Sequence, residues 1–155
     1  MTITVPTDPI LVHATAISID GHAVLLRGPS GAGKSDLALR LIDGGAHLVA
    51  DDQVELGRTG ERVLVTAPAA LAGLIEVRGV GILRVEAAAE ATLALLVDLV
   101  PPAEVDRFPE TRCEDVLGVA VPSIALSPFE ASAAAKLRLA LRAFSANSAP
   151  AIIRR

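Results

Sequence analysis

HAVLLRGPSGAGKSDLALRL, residues 22–41, decides how this chain folds. An apolar run, Ala23 to Leu26, leads into Gly28, Pro29, Ser30, Gly31, Ala32, Gly33, Lys34 and Ser35, a complete G-x-x-x-x-G-K-[ST] phosphate loop. Glycines let the backbone wrap a phosphate chain with amide N–H groups pointing inward and no Cβ in the way. Lys34 supplies positive charge for the outer phosphate oxygens, and the Ser35 hydroxyl can complete a Mg²⁺ shell. The amphipathic segment that follows places Leu37, Ala38 and Leu41 on one face, which predicts a helix from Lys34 to Asp43 stopped by Gly44-Gly45. Its N-terminal dipole adds favourable potential for phosphate. The chain binds a nucleotide or polyphosphate.

Outward from the loop, Leu11 to Ile19 is β-branched and partly alternating, and Asp20-Gly21 is a type I′ turn signal. The strand that feeds the loop is therefore expected to pair antiparallel with its predecessor, unlike the parallel sheets of most phosphate-loop enzymes. Ala46 to Ala50 reads as a short strand delivering Asp51 and Asp52 at its end. Gln53 to Leu56 and Arg62 to Thr66 read as a hairpin around Gly57 to Gly60, and Leu74 to Val85 as strand, loop and strand passing near a ligand. Thr92 to Val100 is a hydrophobic strand, Val116 to Leu126 a strand pair broken at Pro122, and Phe129 to Phe144 the longest helix. The expected fold is a mixed α/β domain with a partly antiparallel sheet, one domain over residues 1–155.

Composition narrows the function. The 155 residues include three Phe and no Trp or Tyr, so any base-stacking platform must come from a phenylalanine. The net charge of −4 argues against a nucleic-acid partner. The single cysteine, Cys113, fits a reducing cytoplasm, and no apolar run is long enough for a membrane helix. Cytoplasmic localisation is the expectation.

Asp51 and Asp52 are the second chemical feature. A hydrophobic strand ending in Asp supplies the metal-side carboxylate of many NTPases, and an adjacent carboxylate can take a proton from an attacking hydroxyl. The plain alternative is an Asx turn at a strand end. Glu76 and Arg78, two apart on a strand, share a face and can approach metal and phosphate, or form a surface ion pair. His13 is a lone strand histidine. On a helix, Leu137, Leu141 and Phe144 form one stripe beside Arg138 and Arg142, either core packing or a docking edge with a basic rim.

The run VHATAISIDGHAVLLRGPSGAGKSDLALRLIDGGAHLVADDQVEL, then LIEVRGVGIL, then VDRF, resembles the catalytic domain of HPr kinase/phosphorylase. That family uses ATP to phosphorylate a serine of HPr, a small carrier protein of the bacterial sugar phosphotransferase system, and can remove the phosphate with inorganic phosphate. The resemblance implies a fold like the nucleotide-binding core of phosphoenolpyruvate carboxykinase, without the family's separate N-terminal domain. It implies His13, Lys34, Asp51, Asp52 and Arg107 as active-site residues. Asp52 is then the base, with Asp51 supporting it and His13 orienting the pair. Gly28 to Ser35 would hold the ATP phosphates, and Ser35 and Glu76 would bind Mg²⁺. It also implies a homo-oligomer, a hexamer, and an HPr-like carrier as partner. The family's Pro-x-x-x-Gly-Arg loop falls near Ser127 to Ser132, where this chain has SPFEAS without Gly or Arg, so the dephosphorylation activity is left open. A small-molecule phosphate-loop kinase or NTPase, and a non-catalytic nucleotide sensor, are the competing readings.

Overall fold

The computed structural model describes residues 8–145. In chain order the elements are β1 (Ile10–His13), β2 (Thr15–Ile19), β3 (His22–Arg27), α1 (Lys34–Asp43), β4 (His47–Ala50), β5 (Gln53–Thr59) and β6 (Arg62–Thr66). After a short turn of helix at Ala69–Leu71 come β7 (Leu74–Val77), β8 (Gly81–Arg84), β9 (Glu90–Leu99), β10 (Arg112–Val116), β11 (Val119–Leu126) and α2 (Ala133–Ser145). Among the described residues, no helix is long and apolar enough to cross a membrane.

The main sheet runs β1-β5-β6-β9-β3-β2-β4, with β11 beside the far end of β9 and β10 beside β11. β3 pairs antiparallel with β2 through the Asp20-Gly21 turn, whose φ angles of 51° and 81° suit the type I′ turn expected there. On its other side β3 runs parallel to β9, as does β11. The sheet is thus mixed and mostly antiparallel. Its two outer strands belong to one bent pair, because β1 pairs β5 while β2 pairs β4. That bent pair curls the sheet round on itself.

Both faces are covered, which explains the nearly continuous apolar runs in β3 and β9. Val24, Leu26, Leu95 and Val97 point outward to Leu37 and Leu41 of α1 and Leu137 and Leu141 of α2. Leu25, Val54, Val65, Leu93 and Leu96 fill the inside of the curl. β9 alternates between the two, and Ala94 is an extra residue between the partners of Ala23 and Val24, a bulge that shifts the phase of that alternation.

Several boundaries differ from the sequence reading. The strand expected over Leu11 to Ile19 breaks at Ala14, and β5 continues through Gly57 to a turn at Gly60. Pro122 does not break the last strand pair. The turn is Leu117-Gly118, with φ of 52° and 87°, and Pro122 lies inside β11 opposite Cys113. Counting out from a two-residue turn, that pair is a non-hydrogen-bonded one, so the missing N–H weakens nothing on the β10 side. Pairing with β9 begins only at Ser123. The last helix starts at Ala133, and Ser127 to Ser132 form a turn held across the phosphate loop.

Candidate functional site

Gly28 to Ser35 connect the end of β3 to the start of α1. Gly31 and Gly33 have φ of 83° and 101°, a region side chains avoid. A Cβ on Gly33 would also meet Phe129 at 3.0 Å and Pro128 at 3.1 Å, so close packing adds to the backbone preference for glycine there. The Lys34 ammonium is folded over the loop, donating to the carbonyls of Gly28 at 2.5 Å and Pro29 at 3.1 Å.

A cleft of about 510 Å³ opens beside the loop. Its lining brings together Gly31, Gly33, Lys34, Ser35, Asp51, Asp52, Glu76, Arg78 and Phe129, residues from four separate stretches of the chain. The pair Asp51-Asp52 occupies the bend between β4 and β5, where the sheet turns back. Asp51 is buried and fully engaged. Its Oδ1 accepts from Thr15 Oγ1 at 3.0 Å and from Ser35 Oγ at 2.8 Å, and its Oδ2 accepts from the Glu76 backbone N–H at 3.1 Å.

Asp52 adopts φ 71°, a left-handed conformation that Asp tolerates better than most residues. This turns its side chain away from that of Asp51 and toward solvent. His13 Nε2 lies 3.2 Å from Asp52 Oδ1, and the two side chains are more than half exposed. The backbone reinforces this, since Ala14 N–H donates to the Asp52 carbonyl at 3.2 Å. The two neighbouring aspartates therefore have different surroundings, one sealed into the scaffold and one free toward the cleft.

Ser35, with its proton committed to Asp51, keeps lone pairs for a cation, and Glu76 adds an exposed carboxylate to the same cleft. This all-oxygen set suits a hard ion such as Mg²⁺. Among the described residues no cluster of three or more His, Cys, Asp or Glu forms a cage by itself. The donors on hand match an ion shared with phosphate oxygens.

Arg107 is not among the residues lining the cleft. It lies in the exposed segment after Pro101-Pro102, its guanidinium 5.3 Å from the centre of the Phe108 ring. Two residues escaped the sequence reading. Thr15 holds Asp51, and Phe129 walls the cleft. Thr15 had no motif around it, though it stands two residues from His13 on one strand path. The apolar stripe of α2 packs into the core, and Arg138 Nη2 donates to the Leu41 carbonyl at 2.9 Å, fastening the end of α1.

Residues 7–138 match the family described as HPr Serine kinase C-terminal domain. A protein of Bordetella pertussis named HPr kinase/phosphorylase is 41% identical over 113 residues, 68% of this chain and 37% of that protein. One of the same name from Burkholderia lata is 40% identical over 126 residues, 74% of this chain and 39% of that protein. The chain thus spans less than about two fifths of the length of these relatives. A solved structure, the Hpr(Ser) kinase/phosphatase from Coxiella burnetii, superposes with a TM-score of 0.77 at 29% identity, covering 86% of this chain and 94% of that one. The matched span holds the phosphate loop, the aspartate bend and the β7–β8 hairpin alike, and the chain belongs to the HPr Serine kinase C-terminal domain family.

Proposed function

We propose that this chain is an ATP-dependent protein-serine kinase acting on HPr or a close relative of that carrier. The observation that carries the reading is the division of labour between Asp51 and Asp52. A base for a protein hydroxyl must be exposed and oriented, whereas the residue that sets the metal side must be fixed. Asp52, steadied by His13, meets the first need, and Asp51, with three hydrogen bonds, meets the second.

In this mechanism the amides of Gly28 to Ser35 and the Lys34 ammonium hold the triphosphate. Mg²⁺, bound by Ser35 and Glu76 together with phosphate oxygens, would neutralise charge that builds up during transfer. The acceptor serine docks against Asp52. Its oxygen bonds to the γ-phosphorus as its proton passes to Asp52, and the bond to the ADP oxygen breaks. His13 holds the Asp52 carboxyl in line throughout. We assign no step to Arg107.

Purified protein incubated with Mg²⁺-ATP and HPr, then weighed by intact-mass spectrometry, tests the proposal. The expected result is one phosphoryl group added to HPr. ATP hydrolysis without a modified HPr would favour a small-molecule kinase or NTPase, and ATP binding without turnover would favour a sensor.

A further inference from the structure

The three phenylalanines have separate fates. Phe144 packs against the helical core, and Phe108 lies in the exposed segment beside Arg107. Phe129 is 70% exposed, yet it stands on the wall of the phosphate cleft with Gly31, Gly33 and Leu39. A lone exposed apolar residue needs no explanation by itself. Phe129 differs because the chain on both sides of it is fastened down. The Arg40 guanidinium, from the helix that begins at the phosphate loop, donates to the carbonyls of Pro128 and Glu130. Arg40 is itself paired with Asp36 at 3.0 Å, and Glu130 with Lys136 at 2.7 Å. Glycine at position 33 then lets the ring lie directly against the loop backbone.

Topology places this ring on the ligand side. β3 and β11 both run parallel to β9, so the phosphate loop and the Ser127–Ser132 turn leave the sheet at the same end. The cleft at that end is lined by the loop and by Phe129 together. With Lys34, Ser35, Asp51, Glu76 and Arg78 facing the phosphates and metal in the proposed function, and Asp52 the acceptor serine, the apolar wall is left for the rest of a nucleotide. We propose that Phe129 is the platform on which the nucleobase stacks, a flat apolar face offered to the flat face of the base. This rests on the nucleotide reading of the loop given above.

Calorimetric titration of the whole protein with Mg²⁺-ATP and, separately, with Mg²⁺-tripolyphosphate tests it without any acceptor protein. Phe129→Ala should weaken ATP binding about tenfold, the loss expected for one base stack, and leave tripolyphosphate within about twofold. Phe129→Trp should keep ATP binding within about threefold of the parent, since it restores a ring. ATP affinity unchanged in Phe129→Ala would overturn the platform and leave the kinase proposal standing. So would an equal loss for tripolyphosphate, because the ring would then act on the loop and not on a base. Failure of the unaltered protein to bind either ligand would overturn both proposals together.

Discussion

Ser35 Oγ donates a 2.8 Å hydrogen bond to Asp51 Oδ1, tying the last residue of the phosphate loop to the bend after β4. Because the same carboxylate also accepts from Thr15 on β2 and from the Glu76 N–H on β7, one side chain sets the spacing of three elements around the cleft.

Removing that carboxylate leaves buried donors without an acceptor, which costs more than the bonds themselves are worth. Asp51→Ala should lower stability by about 2–4 kcal/mol, read from the urea midpoint. Thr15→Val should cost less in the Asp51→Ala background than alone, with a coupling of at least about 0.5 kcal/mol. Strict additivity would mean that Thr15 does not serve Asp51.

Substitutions at Asp52 and Lys34 should separate chemistry from binding. Asp52→Asn keeps a residue type that accepts the left-handed backbone, so Mg²⁺-ATP affinity should stay within about tenfold while transfer to HPr falls by about 10²–10⁴. Lys34→Ala should lose both nucleotide affinity and turnover, because its charge meets phosphate before and during transfer. Collapse of ATP binding in Asp52→Asn would reassign that residue to the metal side.

The basic residues of α2 divide in the same way. Arg138 fastens the C-terminal end of α1, whereas Arg142 is exposed. Arg138→Glu should therefore lower the thermal midpoint, by about 1–2 kcal/mol in stability, through loss of a bond to the helix-end carbonyls and an unfavourable charge there. Arg142→Glu should leave the midpoint unchanged, and any charge effect on the KM for the carrier should follow Arg142 alone. A midpoint unmoved by Arg138→Glu would refute the capping role.

Acid should find a weak point away from the cleft. Arg27 lies between Glu114 and Asp98, donating to both carboxylates. The hydrogen bond from Arg27 holds Glu114 below its ordinary value of 4.5, and the bond to Glu114 raises Arg27 in turn. Folding favours the charged Glu114, so the unfolded chain takes up the proton first as pH falls. The stabilisation is present above pH 4.5 and is lost as pH drops below it through the depressed folded value. The carboxylate is nearly half exposed, so solvent screening keeps the effect under about 1 kcal/mol. Glu114→Gln should flatten that part of the stability–pH curve, and an unaltered curve would assign the acid sensitivity elsewhere.

What the sequence revealed follows from how local the chemistry is. The phosphate loop, the Lys34–Asp43 helix and the Asp20-Gly21 turn are encoded by residues within a few positions of one another, and the structure keeps all three. The antiparallel entry of β3 was legible because a two-residue turn admits nothing else. The break at Ala14 was not, since it is set by curling of the sheet and no glycine or proline marks it. Pro122 misled because its cost depends on which pairs of the hairpin are hydrogen-bonded, a matter of register. Thr15 and Phe129 reach the site through contacts 36 and more than 90 positions away in the chain, as with Thr15 to Asp51 and Gly33 to Phe129. No spacing rule reaches that far.

The placement of His13 has a consequence for how the protein fails. β1 is an edge strand, paired among the described residues only with β5 and open to solvent along most of its length. Strands held so lightly detach well before a domain unfolds. The phosphate loop, by contrast, is mounted on β3, clasped between β2 and β9 in the middle of the sheet. On warming, amide exchange should quicken first in residues 10–13, and phosphoryl transfer should fade while nucleotide is still held. The working lifetime of the molecule is then set by one short strand at its margin.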